Sequence, residues 1–190
     1  AAMGRGISSI CFTDHCDFFS DVTLQIDGSA VPECQIEQIA QARAIAPDGY
    51  FVGLGLELGE PNHDPERALR IYAMPEYDFI LGSLHNIRNY EDFYFIEYTT
   101  EAQCLDLYEL YMDELIEIAA VPCFDTMAHI GYCVRHMHPD GKRIHLTMDR
   151  FGDKIDTLLR LIIESGRGIE ANCAGLVAGG RKNPLLETVP

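Results

Sequence analysis

Short apolar runs alternate with stretches of helical periodicity along this chain. Ile7-Ser8-Ser9-Ile10-Cys11-Phe12 reads as a buried strand, followed by Thr13-Asp14-His15. From Glu33 to Ala46, Ile36, Ile39, Ala40 and Ile45 recur at helical intervals, and Pro47-Asp48-Gly49 stops the run. Tyr50 to Leu56 is strand-like and ends at Glu57. Asp64-Pro65 predicts a short helix, with Asp as N-cap and Pro at the first helical position, ending before Pro75. Asp78 to Leu84 reads as a strand that ends at His85. The longest helix follows, opened by Thr100 and Gln103 at capping-box spacing and carrying Leu105, Tyr108, Met112, Leu115 and Ala119. Cys123 to Ala128 predicts a strand closed by His129. Phe151, Ile155, Leu158, Leu159 and Ile162 line one face of a helix ending near Gly166, and Gly168 to Ala171 makes a fifth strand with Asn172 at its tip.

Five strands alternating with four helices imply parallel β-α units, which can close into a barrel or lie in an open doubly wound sheet. The strand ends favour the barrel. His15, Glu57, His85, His129 and Asn172 each stand where a strand hands over to its loop. In a barrel such positions converge on the face that carries active sites, whereas an open sheet would spread them along an edge. No repeat or linker interrupts the pattern, so residues 1–190 read as a single domain. Its ends look unfinished: Ala1-Ala2-Met3-Gly4 resembles the close of an upstream helix, and Pro184 to Leu186 the start of a further one. A whole barrel takes roughly 250 residues, so the chain reads as an interior piece, truncated at both ends.

Composition narrows the partners. Lys and Arg number 14 against 30 Asp and Glu, a net charge of -16, which disfavours nucleic acid and anionic membrane surfaces. No apolar run suits a membrane helix, and the first residues lack the charged and apolar regions of a secretory signal. The cysteines, 7 in all, are scattered without a C-x-x-C pair, which points to a reducing, cytoplasmic setting.

Imidazoles and carboxylates at converging strand ends are what Zn²⁺, Mn²⁺ or Fe²⁺ require, and a carboxylate such as Glu57 can bridge two ions. Clustered divalent ions activate water and neutralise a phosphoryl oxygen. A single strand-end histidine is ordinarily a hydrogen-bonded structural group; ligand-type residues at four successive strand ends are another matter. Three other features carry less. His136-Met137-His138 sits in a loop and reads as surface histidines, and Gly53 to Gly59 imitates a nucleotide loop but lies inside a strand. Cys16 has no evident base to make it a nucleophile.

Five segments in order resemble the polymerase-and-histidinol-phosphatase (PHP) superfamily. Phe12-Thr13-Asp14-His15 is similar to its F-T-D-H segment, Gly55-Leu56-Glu57 to its G-x-E strand, and Gly82-Ser83-Leu84-His85 to its G-S-x-H strand. Asp125 to His129 resembles its D-x-x-x-H segment, and Gly168 to Asn172 its G-x-E-x-N strand. Asp92-Phe93-Tyr94 and Asn172-Cys173-Ala174-Gly175-Leu176 resemble the histidinol-phosphatase branch. The resemblance implies a distorted seven-stranded (β/α) barrel, of which about five strands fall here, and a centre of two or three divalent ions. It puts His15, Glu57, His85 and His129 on metal-ligand positions, with Glu57 the bridging carboxylate; Glu57 and His129 are the residues expected to be catalytic.

The family's H-x-H motif would precede Ala1 and its Asp-x-His motif would follow Pro190; neither is in the chain. Gly131 stands where this branch commonly has Asp, and Val177 where it has Arg. A phosphate monoester needs local positive charge on so acidic a chain. Arg135, in the loop after His129, resembles a basic position of the branch, and Arg181-Lys182 forms a second basic spot. The expected activity is metal-dependent hydrolysis of L-histidinol phosphate to histidinol and phosphate, as a step of histidine biosynthesis. The alternatives are a nucleotide or another small phosphoester as substrate, or a catalytically incomplete barrel fragment.

Overall fold

The computed structural model describes residues 3–19, 23–142 and 144–172. The α/β class read from the alternation is present. The strands β1 (Ser9–Asp17), β2 (Phe51–Gly59), β3 (Phe79–Ser83), β4 (Thr126–Met127) and β5 (Gly168–Ile169) lie in one sheet in the order β1-β2-β3-β4-β5. Pairing is parallel between β1 and β2 and between β4 and β5. The helices are α1 (Glu33–Ile45), α2 (Pro65–Tyr72), α3 (Glu101–Ala120) and α4 (Met148–Glu164). Among the described residues, no helix is long and apolar enough to cross a membrane. Expectations at Cys173, Val177, Arg181, Lys182 and Pro184–Leu186 fall outside the described residues. Packing divides the chain into two compact units, Ala1–Gly82 with Cys123–Asp125, and Ser83–Pro122 with Thr126–Pro190.

In the first unit, β1 and β2 pair from Ser9↔Phe51 to Asp17↔Gly59. Both strands therefore run further than the sequence pattern predicts. His15 and Glu57 lie inside them, directly opposite one another, rather than just past their ends. Gly55 makes room: a Cβ there would stand 2.7 Å from both the Cys11 sulfur and the Phe79 carbonyl oxygen. Behind the sheet, Ile39 of α1 packs with Val52 and Leu54 against Ile10, Val31 and Tyr77.

Two aspartates play the same part at successive strand starts. Asp78 accepts from the Leu54 N–H at 2.9 Å while its own N–H donates to the Leu54 carbonyl at 2.7 Å. Asp125 accepts from the Ile80 N–H at 2.7 Å and donates its N–H to the Ile80 carbonyl at 2.8 Å. The Asp of the D-x-x-x-H segment is therefore a strand cap in this unit. Arg43 joins the first cap, donating to Asp78 at 2.8 Å and to the Val52 carbonyl at 2.8 Å. Asp64 caps α2 as its sequence predicts, accepting from the Arg67 N–H at 3.0 Å.

In the second unit, Thr100 caps α3 by accepting from the Gln103 N–H at 3.1 Å. The return bond of the capping box goes one residue further back than the motif predicts: the Thr99 N–H donates to Gln103 Oε1 at 2.9 Å. The core holds Tyr108, Tyr111, Leu115, Phe93 and Phe151, with Tyr108 and Phe151 edge to face at 4.8 Å. α4 ends in a Schellman turn at Gly166 (φ 71°), where the N–H groups of Gly166 and Arg167 donate to the Ile163 and Ile162 carbonyls. Arg167 then donates to the Ala119 and Val121 carbonyls at 3.1 Å each, closing the end of α3.

Cysteine burial yields a first prediction. Cys16, Cys104, Cys123 and Cys133 are buried, Cys34 is exposed, and burial pushes the half-buried Cys11 thiol up to about 11. Brief treatment with a maleimide at neutral pH, followed by peptide mass spectrometry, is expected to modify Cys34 first of these six. The four buried thiols react only on unfolding. Equal labelling of Cys133 and Cys34 in native protein would contradict this packing.

Candidate functional site

Each unit gathers ligand-type side chains of its own. In the first, β1 places His15 and Asp17 on one face, because residues two apart in a strand project to the same side. The ladder puts Glu57 opposite His15. His15 Nε2 lies 3.7 Å from Glu57 Oε2, and His15 Nδ1 lies 3.8 Å from Asp17 Oδ2. Both distances exceed a hydrogen bond. Each matches the spacing of two neighbouring ligands around a cation, with Glu57 on the Nε2 side of the ring and Asp17 on the Nδ1 side, since metal–ligand bonds of about 2.1 Å at tetrahedral angles separate donors by about 3.4 Å. Glu57 and Asp17 are buried at 8% and 7% exposure, whereas the His15 side chain is 51% exposed.

Beside His15 opens a cleft of about 530 Å³, lined also by Asp14, Thr23, Leu24, Cys34 and Gln35. Two of its lining residues, Asp14 and Gln35, belong to a polar relay. Tyr77 Oη donates to Gln35 Oε1 at 3.0 Å, and Gln35 Nε2 donates to Asp14 Oδ2 at 2.9 Å. Gln35 is buried, so both ends of its amide are satisfied as burial demands. Cys16 is fully buried, and burial raises its pKa, which agrees with the absence of a nucleophilic role.

In the second unit, His85 follows β3 and His129 follows β4, and their rings lie 5.1 Å apart between centroids, tilted at 45°. That spacing suits two imidazoles that share an ion. Tyr132 touches both, at 4.9 Å from His85 and 5.2 Å from His129. The His129 main chain is held from two sides: its N–H donates to Glu170 Oε2 at 2.9 Å, and its carbonyl accepts from the Tyr132 N–H at 2.7 Å. Asn172 Nδ2 donates to both Glu170 oxygens at 3.2 and 3.3 Å. Glu170 and Asn172, residues of the G-x-E-x-N strand, thus hold a candidate ligand's backbone.

Arg135 is exposed, with its guanidinium 4.3 Å from the Tyr132 ring centroid. Its Nε donates to His136 Nε2 at 3.2 Å. Burial, and then the Arg135 charge, lower the His136 pKa, which keeps that ring neutral and able to accept. His136 is half-buried against Tyr94 and Tyr132, not the surface histidine its loop position suggested. Burial, and then the bond to Asp92, raise the Tyr132 pKa, so its hydroxyl remains a donor.

The sequence reading assigned no role to Asp17, Asp92, Tyr132 or Glu170. Asp17 lies on the His15 face through the two-residue repeat of a strand, but its residue type alone does not mark it out. The roles of the other three depend on contacts between distant segments. The donor set, imidazole nitrogens with carboxylate oxygens, suits Zn²⁺, Mn²⁺ or Fe²⁺ and, among the described residues, includes no thiolate.

Comparison with known proteins agrees with this reading. The pattern of the PHP domain family matches residues 1–174. A histidinol-phosphatase of Lactococcus lactis is 24% identical over 185 residues, covering 90% of this chain and 62% of its own length. A protein of Deinococcus radiodurans named probable histidinol-phosphatase is 28% identical over 197 residues, covering 100% of this chain and 69% of its own. Among solved structures, the L. lactis histidinol phosphate phosphatase complexed with zinc, L-histidinol and phosphate superposes with a TM-score of 0.70 at 21% identity. That match covers 90% of this chain and 64% of the solved one, and it shows a shared fold. The chain thus spans somewhat under two thirds of the L. lactis protein's length.

Proposed function

The chain belongs to the PHP domain family, and from that premise we propose that it is the larger part of a metal-dependent phosphomonoesterase that hydrolyses L-histidinol phosphate to L-histidinol and phosphate. Residues 1–190 are then read as part of one barrel-type domain. The carrying observation is that each unit clusters ligand-type donors at separations suited to a shared cation, His15 with Glu57 and His85 with His129. In this reading His15, Glu57, His85 and His129 would hold two or three divalent ions, with Glu57 as the shared carboxylate. Bound there, the ions supply the positive charge that makes water nucleophilic at neutral pH and offsets the charge of a phosphoryl oxygen.

The protein's own part is orientation and local charge. Glu57 and His129 act closest to the reacting phosphorus. Arg135 binds the phosphate, its planar fork suited to two phosphoryl oxygens. Arg181 and Lys182, outside the described residues, are proposed as further phosphate contacts. Water adds to phosphorus, the ester P–O bond breaks, and the departing histidinol oxygen takes a proton. The cytoplasm is the proposed setting. The six cysteines Cys11, Cys16, Cys34, Cys104, Cys123 and Cys133 are free, in keeping with a reducing compartment.

The full-length protein supplied with Zn²⁺ or Mn²⁺ is expected to release phosphate from L-histidinol phosphate. A strong chelator should abolish turnover, and added metal should restore it. kcat/KM across a panel of nucleotides and small phosphoesters tests the substrate. A nucleotide turned over faster than histidinol phosphate would overturn the assignment, and activity undiminished after exhaustive chelation would overturn the metal chemistry.

A further inference from the structure

Tyr132 is the common neighbour of the two imidazoles in the second unit. Its ring stands edge-on to His85 at 78° and tilted to His129 at 41°, and the side chain is almost entirely buried. The far end of the ring is anchored. Tyr132 Oη donates to Asp92 Oδ1 at 2.9 Å, and the same carboxylate oxygen accepts the Tyr94 N–H at 2.8 Å. Asp92 is itself held in a turn, its carbonyl accepting the Phe95 N–H at 2.8 Å. The next residue, Phe93, is fully buried and donates its N–H to the His85 carbonyl at 3.2 Å. A single short segment therefore grips the backbone of one imidazole and the ring that packs on both.

An imidazole ligand binds well only when its lone pair already points at the ion; otherwise the site spends binding energy on freezing the ring. Packing alone would be served by phenylalanine, but the hydroxyl is bonded to a carboxylate in a fixed turn, which stops the ring from sliding. We propose that Tyr132, anchored by Asp92, is a positioning residue that sets the ring planes of His85 and His129 for metal binding. The inference rests on the assignment of those two imidazoles as ligands.

The test measures zinc affinity of the full-length protein by competition with a chromophoric chelator, with kcat and KM alongside. Tyr132→Leu is expected to weaken zinc binding about 10- to 100-fold, the range for groups that orient metal ligands. Tyr132→Phe keeps the packing and loses the anchor, so it falls between Tyr132→Leu and wild type. Asp92→Ala should weaken zinc binding as Tyr132→Phe does. Asp92→Asn, whose amide oxygen still accepts both bonds, should restore most of it. If Tyr132→Leu fails to fold, Tyr132→Phe and the two Asp92 variants decide. Wild-type zinc affinity in Tyr132→Phe and Asp92→Ala, with only KM raised, would overturn the proposal and make Tyr132 a substrate contact. His129→Ala separates this from the underlying reading: if it keeps a full complement of zinc, the ligand assignment fails whatever Tyr132 does.

Discussion

Glu57→Ala is expected to lower phosphatase kcat/KM of the full-length protein by more than about a hundredfold and to lower its metal content. The argument starts from burial. Glu57 is 8% exposed on a strand whose neighbours are apolar, and its carboxylate faces His15 at 3.7 Å. A buried carboxylate is costly to keep ionised unless its charge is compensated. The bridging role proposed for it would supply that compensation. Groups that only orient ligands cost about 10- to 100-fold when removed, so a direct ligand should cost more. Glu57→Gln keeps the volume and one oxygen donor but loses the charge, and it should be nearly as damaged. Steady-state kinetics and elemental analysis of the purified variants give both readouts. Wild-type turnover in Glu57→Ala would remove this residue from the site, and an unchanged metal content would confine its role to the reaction step.

Phe93→Ala is expected to have the largest effect on stability among single core replacements near the second cluster. Phe93 is fully buried and meets Tyr111 edge to face at 5.4 Å and Tyr132 at 6.5 Å. Truncating a buried aromatic ring to alanine costs about 3–5 kcal/mol, because the ring leaves a cavity that rigid neighbours cannot fill. For a chain of this size that corresponds to a Tm lower by roughly 6–20 °C. Phe93→Leu, which refills most of the space, should lose much less. Thermal unfolding followed by circular dichroism in the presence of chelator isolates this effect from metal binding. A Tm within 2 °C of wild type, set against the roughly 6 °C minimum expected, would mean the ring is not packed as described. The variant also tests the link to function, since the same residue's N–H holds the His85 carbonyl.

Much of this organisation was legible in the residues. α1 and α2 fall where periodicity and the Pro and Asp signals put them, and α4 ends at the glycine expected to close it. These are local features, decided by hydrogen bonds within a few residues, and a linear pattern carries them. The strands were found but mismeasured. β1 runs on to Asp17 and β2 to Gly59 because each extra residue gains a ladder partner from the other, a gain that no single strand displays in isolation. β4, expected over Cys123 to Ala128, is confined to Thr126–Met127, and Asp125 before it is occupied in capping Ile80.

The candidate site divides in the same way. Which strand-end residues carry imidazole or carboxylate groups was readable from residue type and spacing, since His15, Glu57, His85 and His129 each stand on or just after a strand. What those residues meet was not. Asp17 comes beside His15 through the two-residue repeat of a strand, yet nothing in its type separates it from the other aspartates of a chain with 30 acidic residues. Tyr132 lies only three residues from His129, but its contact with His85, 47 positions earlier, and its bond to Asp92 exist only in the folded chain. The residues by themselves thus determined the order of the elements and the chemistry of the donors, because both are set by local geometry and side-chain type. The tertiary structure alone decided which carboxylate faces which imidazole and which ring holds two of them, because such contacts depend on strand register and on the mutual packing of segments far apart along the chain.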